Sequence, residues 1–152
     1  MYKCSDHQSC MDNALQKADL ICRQRNLRFT NLRRKVLQMI WADHHPSKAY
    51  ELLDKLKKDI SAKPPTIYRA LNFLMENGLI HKLNSLNAYI GCAHPLKHHE
   101  CYFLICNICK NIEECYDHKL SKAIVNATYK NKFYLDSTVL EINGKCQKCI
   151  KK

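Results

Sequence analysis

Two Cys-x-x-Cys pairs constrain the fold of this chain more than any other feature of its sequence. Cys106 and Cys109 form the first pair, and Cys146 and Cys149 form the second, late in the 152 residues. Each pair places two sulfurs on a tight turn, and two such turns brought together supply the four thiolates of a tetrahedral zinc site. Residues 110–145 lie between the pairs, which is enough chain for a helix and a strand. The spacing therefore predicts a closed structural zinc site that ties the last residues to an earlier strand.

The ten cysteines raise the question of the redox compartment. The N-terminal sequence MYKCSDHQSC lacks the apolar stretch of a secretory signal, and the longest apolar run, Cys101 to Cys106, is too short to cross a bilayer. These features predict a cytoplasmic protein without membrane contact, in a compartment where stable disulfides are rare. A thiol–disulfide redox switch is the alternative interpretation of the two pairs.

The N-terminal part of the chain shows four stretches with apolar residues at helical spacing. Gly78 suits the left-handed position that follows the last of these stretches. Two short segments, 79–83 and 88–90, then predict a β-hairpin across a polar turn. Helices followed by such a hairpin are typical of a winged helix-turn-helix. The helical stretches cover residues 12–26, 31–42, a segment capped by Ser47, and 66–77.

The C-terminal part shows a different pattern. Residues 91–100 have no periodicity and predict a linker, whereas the helix expected at about 118–131 would bury Leu120, Ile124 and Ala127. Strands are expected at 101–106, 112–116 and 137–142. We therefore expect an α+β protein with a winged helix-turn-helix domain at 1–90, a linker with metal-ligand residues at 91–100, and a small α/β domain at 101–152.

A surplus of positive charge favours a polyanionic partner. The chain has 25 Lys and Arg against 14 Asp and Glu, a formal net charge of +11, which attracts nucleic acid or anionic surfaces. Helical spacing turns the apolar residues of 66–77 inwards and leaves Tyr68 and Arg69 outside. Because the second helix of a helix-turn-helix reaches base edges and arginine bonds guanine bidentately, Arg69 is predicted to read a base. Tyr68 and Tyr50 are expected to contact the DNA beside Arg69.

Phosphate contacts are expected from basic residues around that helix, at Lys63, Arg28, Arg33 and Arg34. The alternative interpretation is that Tyr68 and Arg69 belong to an ordinary solvated helix face. A single winged helix offers too little contact area for high specificity, so a dimer on palindromic double-stranded DNA is expected.

A second, less regular group of metal-ligand residues runs from the hairpin to the strand after the first cysteine pair. Each member is by itself more often a surface residue than a ligand. Together they would draw ligands from the hairpin, the linker and the second domain, so a bound metal would fix the angle between the domains. A thiolate among them favours zinc over iron(II), manganese or magnesium. The group comprises His81, Cys92, His94, His98, His99, Glu100 and Glu114.

Six stretches of the chain resemble one known family in their order, spacing and local context. The stretches are ICRQRNLRFTNLRRKVL, AYELLDKL, AKPPTIYRALNFLMENGLIHKL, NAYIGC, FLICNICKNIEEC and GKCQKC. Through them the chain resembles the ferric uptake regulator family over nearly its whole length, and most closely its zinc-sensing branch.

The resemblance implies a homodimeric transcriptional repressor of zinc-uptake genes. Such a protein binds palindromic operators when it is zinc-loaded and releases them when zinc is scarce. The resemblance assigns dimerisation to residues 101–152 and points to Tyr50, Tyr68 and Arg69 as the base-facing residues. It implies no enzymatic activity and no small organic substrate.

The resemblance also implies two zinc ions per chain. It supports a structural zinc held by the two Cys-x-x-Cys pairs. The other ion would be a regulatory zinc, and counting back from Cys106 favours His99 as its linker ligand, with His98 as the alternative. The implied regulatory ligands are His81, Cys92, His99 and Glu114.

Two other functions compete with this one. An iron- or peroxide-responsive member of the same family is the nearest alternative, and Cys92 argues against it because a thiolate beside iron would be prone to oxidation. A zinc-stapled thiol redox protein is an alternative from a different class. Catalysis is not expected, because a closed four-cysteine site has no open position and no Ser/His/Asp set or glycine-rich phosphate loop occurs.

The remaining cysteines divide into two groups. Cys22, Cys101 and Cys115 are expected to pack as small apolar side chains, with Cys115 on the strand face opposite Glu114. Three residues near the N-terminus depart from the family pattern and predict either an unstructured tail or a third metal site. They are Cys4, His7 and Cys10.

Overall fold

The computed structural model describes residues 7–42, 45–57 and 63–151, apart from the side chains of His7 and of 97–99. The chain divides into two compact units, which we call the winged-helix unit (2–96) and the cysteine unit (97–152). The division falls within the segment where the sequence predicted a linker. Across the described part of the chain, no helix has both the length and the apolar character needed to span a bilayer.

Four helices form the body of the winged-helix unit, namely α1 (His7–Gln24), α2 (Asn31–Trp41), α3 (Ala49–Lys57) and α4 (Pro64–Glu76). Thr30 caps α2, because its side-chain oxygen accepts a hydrogen bond from the Arg33 backbone N–H at 3.4 Å. Pro64 opens α4 at a position where a missing N–H breaks no helical hydrogen bond. Gly78 follows α4 with a φ of 72°, which glycine adopts without strain.

The apolar stripes of α2, α3 and α4 meet in one hydrophobic core. On α4, the apolar residues that recur at helical spacing, Ile67, Ala70, Leu71 and Leu74, are all buried. Fully burying one such Leu or Ile side chain is worth about 1.5–3 kcal/mol, so this unit has a core that requires no metal. The most deeply buried side chains are Val36, Leu37, Ile40, Leu52, Leu56, Ile67, Leu71 and Leu74.

The predicted hairpin packs against this helical body. Its strands, β1 (Ile80–Leu83) and β2 (Ala88–Gly91), pair antiparallel. Ser47 adds a bridge to the hairpin, because its backbone N–H and carbonyl each form a 2.8 Å hydrogen bond with Tyr89. Gly91 lies directly against Trp41, so that a Cβ at this position would be 2.3 Å from the indole ring. The hairpin is thus fixed to the start of α3 and to the end of α2.

A three-stranded sheet and one long helix make up most of the cysteine unit. The central strand, β3 (Cys101–Cys106), pairs antiparallel with β4 (Ile112–Tyr116) and parallel with β5 (Leu140–Gly144). Asp117 caps the long helix, since its carboxylate accepts hydrogen bonds from the N–H groups of Lys119 at 2.8 Å and Leu120 at 3.2 Å. The elements are β3 (Cys101–Cys106), β4 (Ile112–Tyr116), α5 (His118–Lys130), β5 (Leu140–Gly144) and α6 (Gln147–Ile150).

Several element ends differ from the sequence prediction. α1 begins at His7 rather than at residue 12. The prediction missed its first turn because that turn is polar and shows no apolar periodicity. β5 begins at Leu140 rather than at residue 137. The expected linker contains a 3₁₀ helix at Pro95–Glu100. α6 was not predicted, since four residues are too few to show a period.

The apolar face of α5 is less covered than the sequence predicted. Leu120 and Ile124 are half-buried and Ala127 is exposed, and α5 contributes no fully buried residue to the described chain. Periodicity identifies which face of a helix is apolar, but not whether the same chain covers it. Large exposed apolar surface of this kind is typical of a protein interface. The exposed apolar side chains of this unit include Val125, Tyr129, Phe133, Tyr134, Val139 and Ile142.

Gly91→Ala is expected to destabilise the winged-helix unit, because the new Cβ would overlap the ring of Trp41. Overpacking of this kind costs about 1–3 kcal/mol. Urea unfolding followed by the fluorescence of Trp41, the only tryptophan, measures the loss. Gly144→Ala is the control, since nothing lies within 4 Å of a Cβ at that position. An unchanged unfolding midpoint for Gly91→Ala would contradict the close contact.

Candidate metal centres and nucleic-acid interface

Four sulfurs converge in the cysteine unit. The Sγ atoms of all four lie within 4.8 Å of one another, and those of Cys109 and Cys146 are 3.6 Å apart. A tetrahedral zinc ion with Zn–S bonds of about 2.3 Å holds its sulfurs about 3.8 Å apart. The arrangement therefore matches a zinc shell. We call it the four-cysteine cluster, formed by Cys106, Cys109, Cys146 and Cys149.

Backbone pairing brings the two turns of the cluster together. β3 and β5 run parallel, with Cys106 opposite Gly144, which precedes Cys146 by two residues. Each pair closes a tight turn. The Lys110 N–H donates to the Cys106 carbonyl at 3.0 Å, and the Cys149 N–H donates to the Cys146 carbonyl at 2.9 Å. The pairing of the first and last strands thus positions both halves of the cluster.

The protein's own hydrogen-bond donors favour a thiolate at Cys106. The Cys146 backbone N–H donates to the Cys106 Sγ at 3.4 Å, and this bond, with that from the Cys109 N–H, lowers the pKa of Cys106. The opposite holds at Cys149, whose pKa is raised by a hydrogen bond with the Cys146 side chain and by desolvation. Four adjacent thiols cannot all ionise without a cation, and a bound zinc ion would supply one.

Two of the predicted regulatory ligands belong to the winged-helix unit. His81 and Cys92 are both buried, with 3% of each residue exposed. His81 pairs with Ile90 across the hairpin, and Cys92 follows Ile90 by two residues, so strand alternation places both side chains on one face. The Cys92 N–H donates to the Leu79 carbonyl at 3.0 Å. This unit therefore offers one imidazole and one thiol on the same face of the hairpin.

The cysteine unit carries the predicted carboxylate ligand. Glu114 lies on β4 and accepts a hydrogen bond from the Tyr116 hydroxyl. The Cys101 Sγ lies within 4.8 Å of a Glu114 carboxylate oxygen. Burial, and then the charge of Glu114, raises the pKa of Cys101 to about 12. The side chains of His99 and of its alternative His98 lie outside the described residues.

The proximity of Cys101 to Glu114 is not apparent from the sequence pattern. Alternation along β3 places Cys101 on the same face as Phe103, and Phe103 pairs with Glu114. That register cannot be inferred until the pairing of β3 with β4 is known. The prediction that Cys22 and Cys101 are buried is confirmed. Cys115, which was also expected to pack as a small apolar side chain, is only half-buried.

The remaining candidate metal-ligand residues lie outside the groups described above. Glu100, from the looser metal-ligand group, lies 3.5 Å from His118 Nδ1, and His94 is exposed. Cys10 is half-buried on α1. Cys4 and the side chain of His7 lie outside the described residues.

Two tyrosines and an arginine are exposed to solvent on the winged-helix unit. Tyr68 is 50% exposed, Tyr50 is 58% exposed, and Arg69 is also exposed. Their neighbours on α4, Ile67 and Ala70, are buried in the core. The start of α4 therefore presents large polar side chains where a recognition helix meets the DNA major groove.

The basic residues around α4 have different surroundings. Lys63 and Arg28 are exposed. The Arg33 guanidinium lies 3.5 Å above the Phe73 ring and donates to the Arg28 carbonyl, which joins α2 to α4. Arg34 binds both carboxylate oxygens of Asp19 at 2.6 Å. Arg33 and Arg34 thus have internal partners, and a phosphate contact by either stays a prediction.

The fold and the four-cysteine cluster together define a winged-helix protein with a candidate metal centre in its second unit. Residues 24–143 match the model of the ferric uptake regulator family. The chain belongs to this family.

Within this family, the similar proteins and solved structures include zinc uptake regulators. The zinc uptake regulation protein of Escherichia coli (strain K12) is 36% identical over 138 residues, which cover 90% of this chain and 81% of that protein. A zinc uptake regulator complexed with zinc and DNA is 35% identical with a TM-score of 0.84, covering 93% of this chain and 95% of the other. Holo XcZur is 38% identical with a TM-score of 0.83, covering 91% and 97%.

Cys106→Ser is expected to remove zinc from the four-cysteine cluster and to unfold the cysteine unit. A structural zinc contributes about 10–16 kcal/mol of apparent binding free energy, which exceeds the roughly 3–5 kcal/mol that a small core supplies. Metal analysis per chain together with circular dichroism measures both effects. Cys115→Ser is the control, because Cys115 lies outside the cluster. A folded Cys106→Ser chain with unchanged zinc content would disprove this role.

Proposed function

We propose that this protein is a zinc-responsive transcriptional repressor that acts as a homodimer. With zinc bound, it occupies palindromic operators of zinc-uptake genes, and it releases them when zinc is scarce. The observation that carries the proposal is the occurrence, in one chain, of exposed Tyr68 and Arg69 on α4 and a four-sulfur cluster at zinc-binding distances. Similarity to a zinc uptake regulator complexed with zinc and DNA, over 93% of this chain, supports it.

We assign sequence recognition to the start of α4. Arg69 is exposed there and has the paired donors that guanine accepts. Tyr50 and Tyr68 lie open on the same unit and offer rings for thymine methyl groups and hydroxyls for phosphates. Phosphate contacts are assigned to Lys63, Arg28 and Arg33.

We assign two zinc ions to each chain. The structural ion is held by the four-cysteine cluster, whose closed thiolate shell supplies stability rather than catalysis or exchange. The regulatory ion takes one imidazole and one thiolate from the winged-helix unit and further ligands from the cysteine unit. Its occupancy would thereby couple metal supply to the placement of the recognition helices. Its ligands are His81, Cys92, His99 and Glu114, with His98 as the alternative to His99.

A homodimer follows from the surface of the cysteine unit. β5 lies at one edge of the sheet, and α5 exposes Val125 and Tyr129. Burying such side chains against a second copy removes apolar surface from water, at about 25 cal/mol per Å². Two copies then present two recognition helices, which matches a palindromic operator.

Zinc is preferred over iron in this assignment because of Cys92. A thiolate in the regulatory shell suits zinc, whereas a redox-active metal beside it would promote oxidation. A zinc-stapled redox protein is disfavoured, because a closed four-thiolate shell leaves no sulfur free for exchange. We assign the protein to the cytoplasm, where chromosomal operators are accessible, and we assign it no catalytic role.

Cys92→Ala should leave the fold intact and abolish the zinc dependence of operator binding, since it removes a regulatory ligand without touching the four-cysteine cluster. Fluorescence anisotropy measures this on an operator selected from random duplexes by the zinc-loaded wild-type protein. Cys115→Ala, which removes a thiol outside the assigned ligands, should keep the zinc response. A Cys92→Ala protein that still needs zinc beyond the structural ion would rule out the assigned site.

Arg69→Ala should weaken binding to the selected operator by about 1–3 kcal/mol and leave weak binding to unrelated DNA nearly unchanged. The physical reason is the loss of a bidentate contact with one base. Lys55→Ala, an exposed residue in the last turn of α3, is the control and should bind both duplexes as the wild type does. An equal loss on operator and unrelated DNA would reassign Arg69 to a phosphate.

A further inference from the structure

A recess of about 210 Å³ opens beside the two exposed tyrosines of the winged-helix unit. It combines parts of the chain that are distant in sequence, namely the start of α3, the start of α4 and the hairpin. This volume is several times larger than the roughly 30 Å³ that one water molecule occupies in the liquid. Its polar lining consists of Lys48, Tyr50, Tyr68, Lys82, Asn87 and Tyr89.

Hydrogen bonds fix the walls of this recess before any ligand arrives. Ser47 is bridged to Tyr89 by two backbone hydrogen bonds of 2.8 Å. The next residue, Lys48, donates its backbone N–H to the Glu51 Oε2 at 2.8 Å, as a capping residue does at the start of a helix. Lys82 pairs with Tyr89 in the hairpin register. The backbone of Lys48 is therefore held near Tyr89 through its neighbour Ser47. The backbone of Lys82 is held opposite Tyr89 by the pairing of the hairpin strands.

The electrostatic character of the recess is positive. Two lysines line it, and among the residues that the structure describes no acidic side chain does. The neighbouring Glu51 carboxylate is engaged with the backbone of Lys48. The Lys48 Nζ lies 5.8 Å from the centre of the Tyr50 ring, which directs the charge towards the tyrosines. Burial of Tyr89, with a smaller effect of Tyr68, raises the pKa of Tyr89, so its hydroxyl stays a neutral donor.

Asn87 completes the lining from the hairpin turn. Its φ of 46° lies in the left-handed region, which asparagine tolerates better than most side chains. Its backbone N–H donates to the Asn84 carbonyl at 3.2 Å, and its side chain is exposed. The turn therefore places an amide donor in the same recess as the two ammonium groups.

We propose that this recess binds one phosphate of the DNA backbone, held by Lys48 and Lys82. The inference rests on the proposed function, since it presumes DNA as the partner. A phosphate fixed here lies next to Tyr50 and Tyr68, so it sets the register in which α4 meets the bases. Lys48, Lys82 and Asn87 are positioning residues that add affinity without reading sequence.

The test measures the salt dependence of DNA binding by the zinc-loaded full chain. The probes are a fluorescent duplex of mixed sequence and the operator selected by the wild-type protein. Each phosphate contact contributes about −0.9 to the slope of log affinity against log salt. Removing both lysines, by Lys48→Ala with Lys82→Ala, removes this one phosphate contact, so it should make the slope shallower by about 0.9 for each DNA-bound chain and weaken binding to both duplexes by the same factor.

Two further variants separate charge from folding. Lys48→Arg with Lys82→Arg keeps both positive charges and should retain the wild-type slope. Lys55→Ala removes a positive charge from the last turn of α3 and should leave the slope unchanged. Circular dichroism and Trp41 fluorescence confirm that each variant is folded before it is compared.

The outcomes distinguish this inference from the proposed function. Zinc-dependent binding by the wild type with an unchanged slope in the double alanine variant overturns the phosphate site and leaves the repressor function standing. A loss confined to the operator would make the lysines base contacts and would also overturn the site. Failure of the zinc-loaded wild type to bind either duplex would overturn the proposed function and this inference together.

Discussion

The four-cysteine cluster is the constraint on which the second half of the molecule depends. The cysteine unit has a three-stranded sheet with Phe103 at its centre, but α5 contributes no fully buried side chain to it. A core of this size supplies only a few kcal/mol against the entropy of ordering the chain. Zinc held by four thiolates contributes about 10–16 kcal/mol of apparent binding free energy. In the proposed assignment, the metal would hold β5 and the last residues beside β3, and with them the surface available to a second copy.

The winged-helix unit is stabilised in a different way. Its helices bury a continuous set of aliphatic side chains, and Arg33 on Phe73 and Arg34 on Asp19 join neighbouring helices at the margin of that core. Because this core consists of apolar side chains, we propose that zinc acts on the unit as a signal rather than as its main source of stability. His81 and Cys92 are buried on one face of the hairpin, whereas Tyr68 and Arg69 are exposed on α4. The proposed metal ligands and the proposed DNA-facing residues therefore belong to the same unit.

The sequence predicted those features that depend on local periodicity and spacing. The inward stripe of α4, the hairpin after Gly78 and the two cysteine turns each occupy a short stretch, so pattern alone identified them. Features that depend on pairing between distant segments were missed. The proximity of Cys101 to Glu114 requires the β3–β4 register, and the recess at Lys48 requires the bridge between Ser47 and Tyr89. The exposure of α5 was mispredicted because periodicity does not show what covers a face.

The central claim is that filling a second zinc site switches DNA binding on. The most direct test measures bound zinc and operator binding in the same sample, starting from protein that mild chelation has reduced to its structural zinc alone. Zinc is then added stepwise while anisotropy reports the complex. The account predicts no operator binding with the structural zinc alone and full binding as the second equivalent is taken up. Operator binding that is already complete with the structural zinc alone would contradict it.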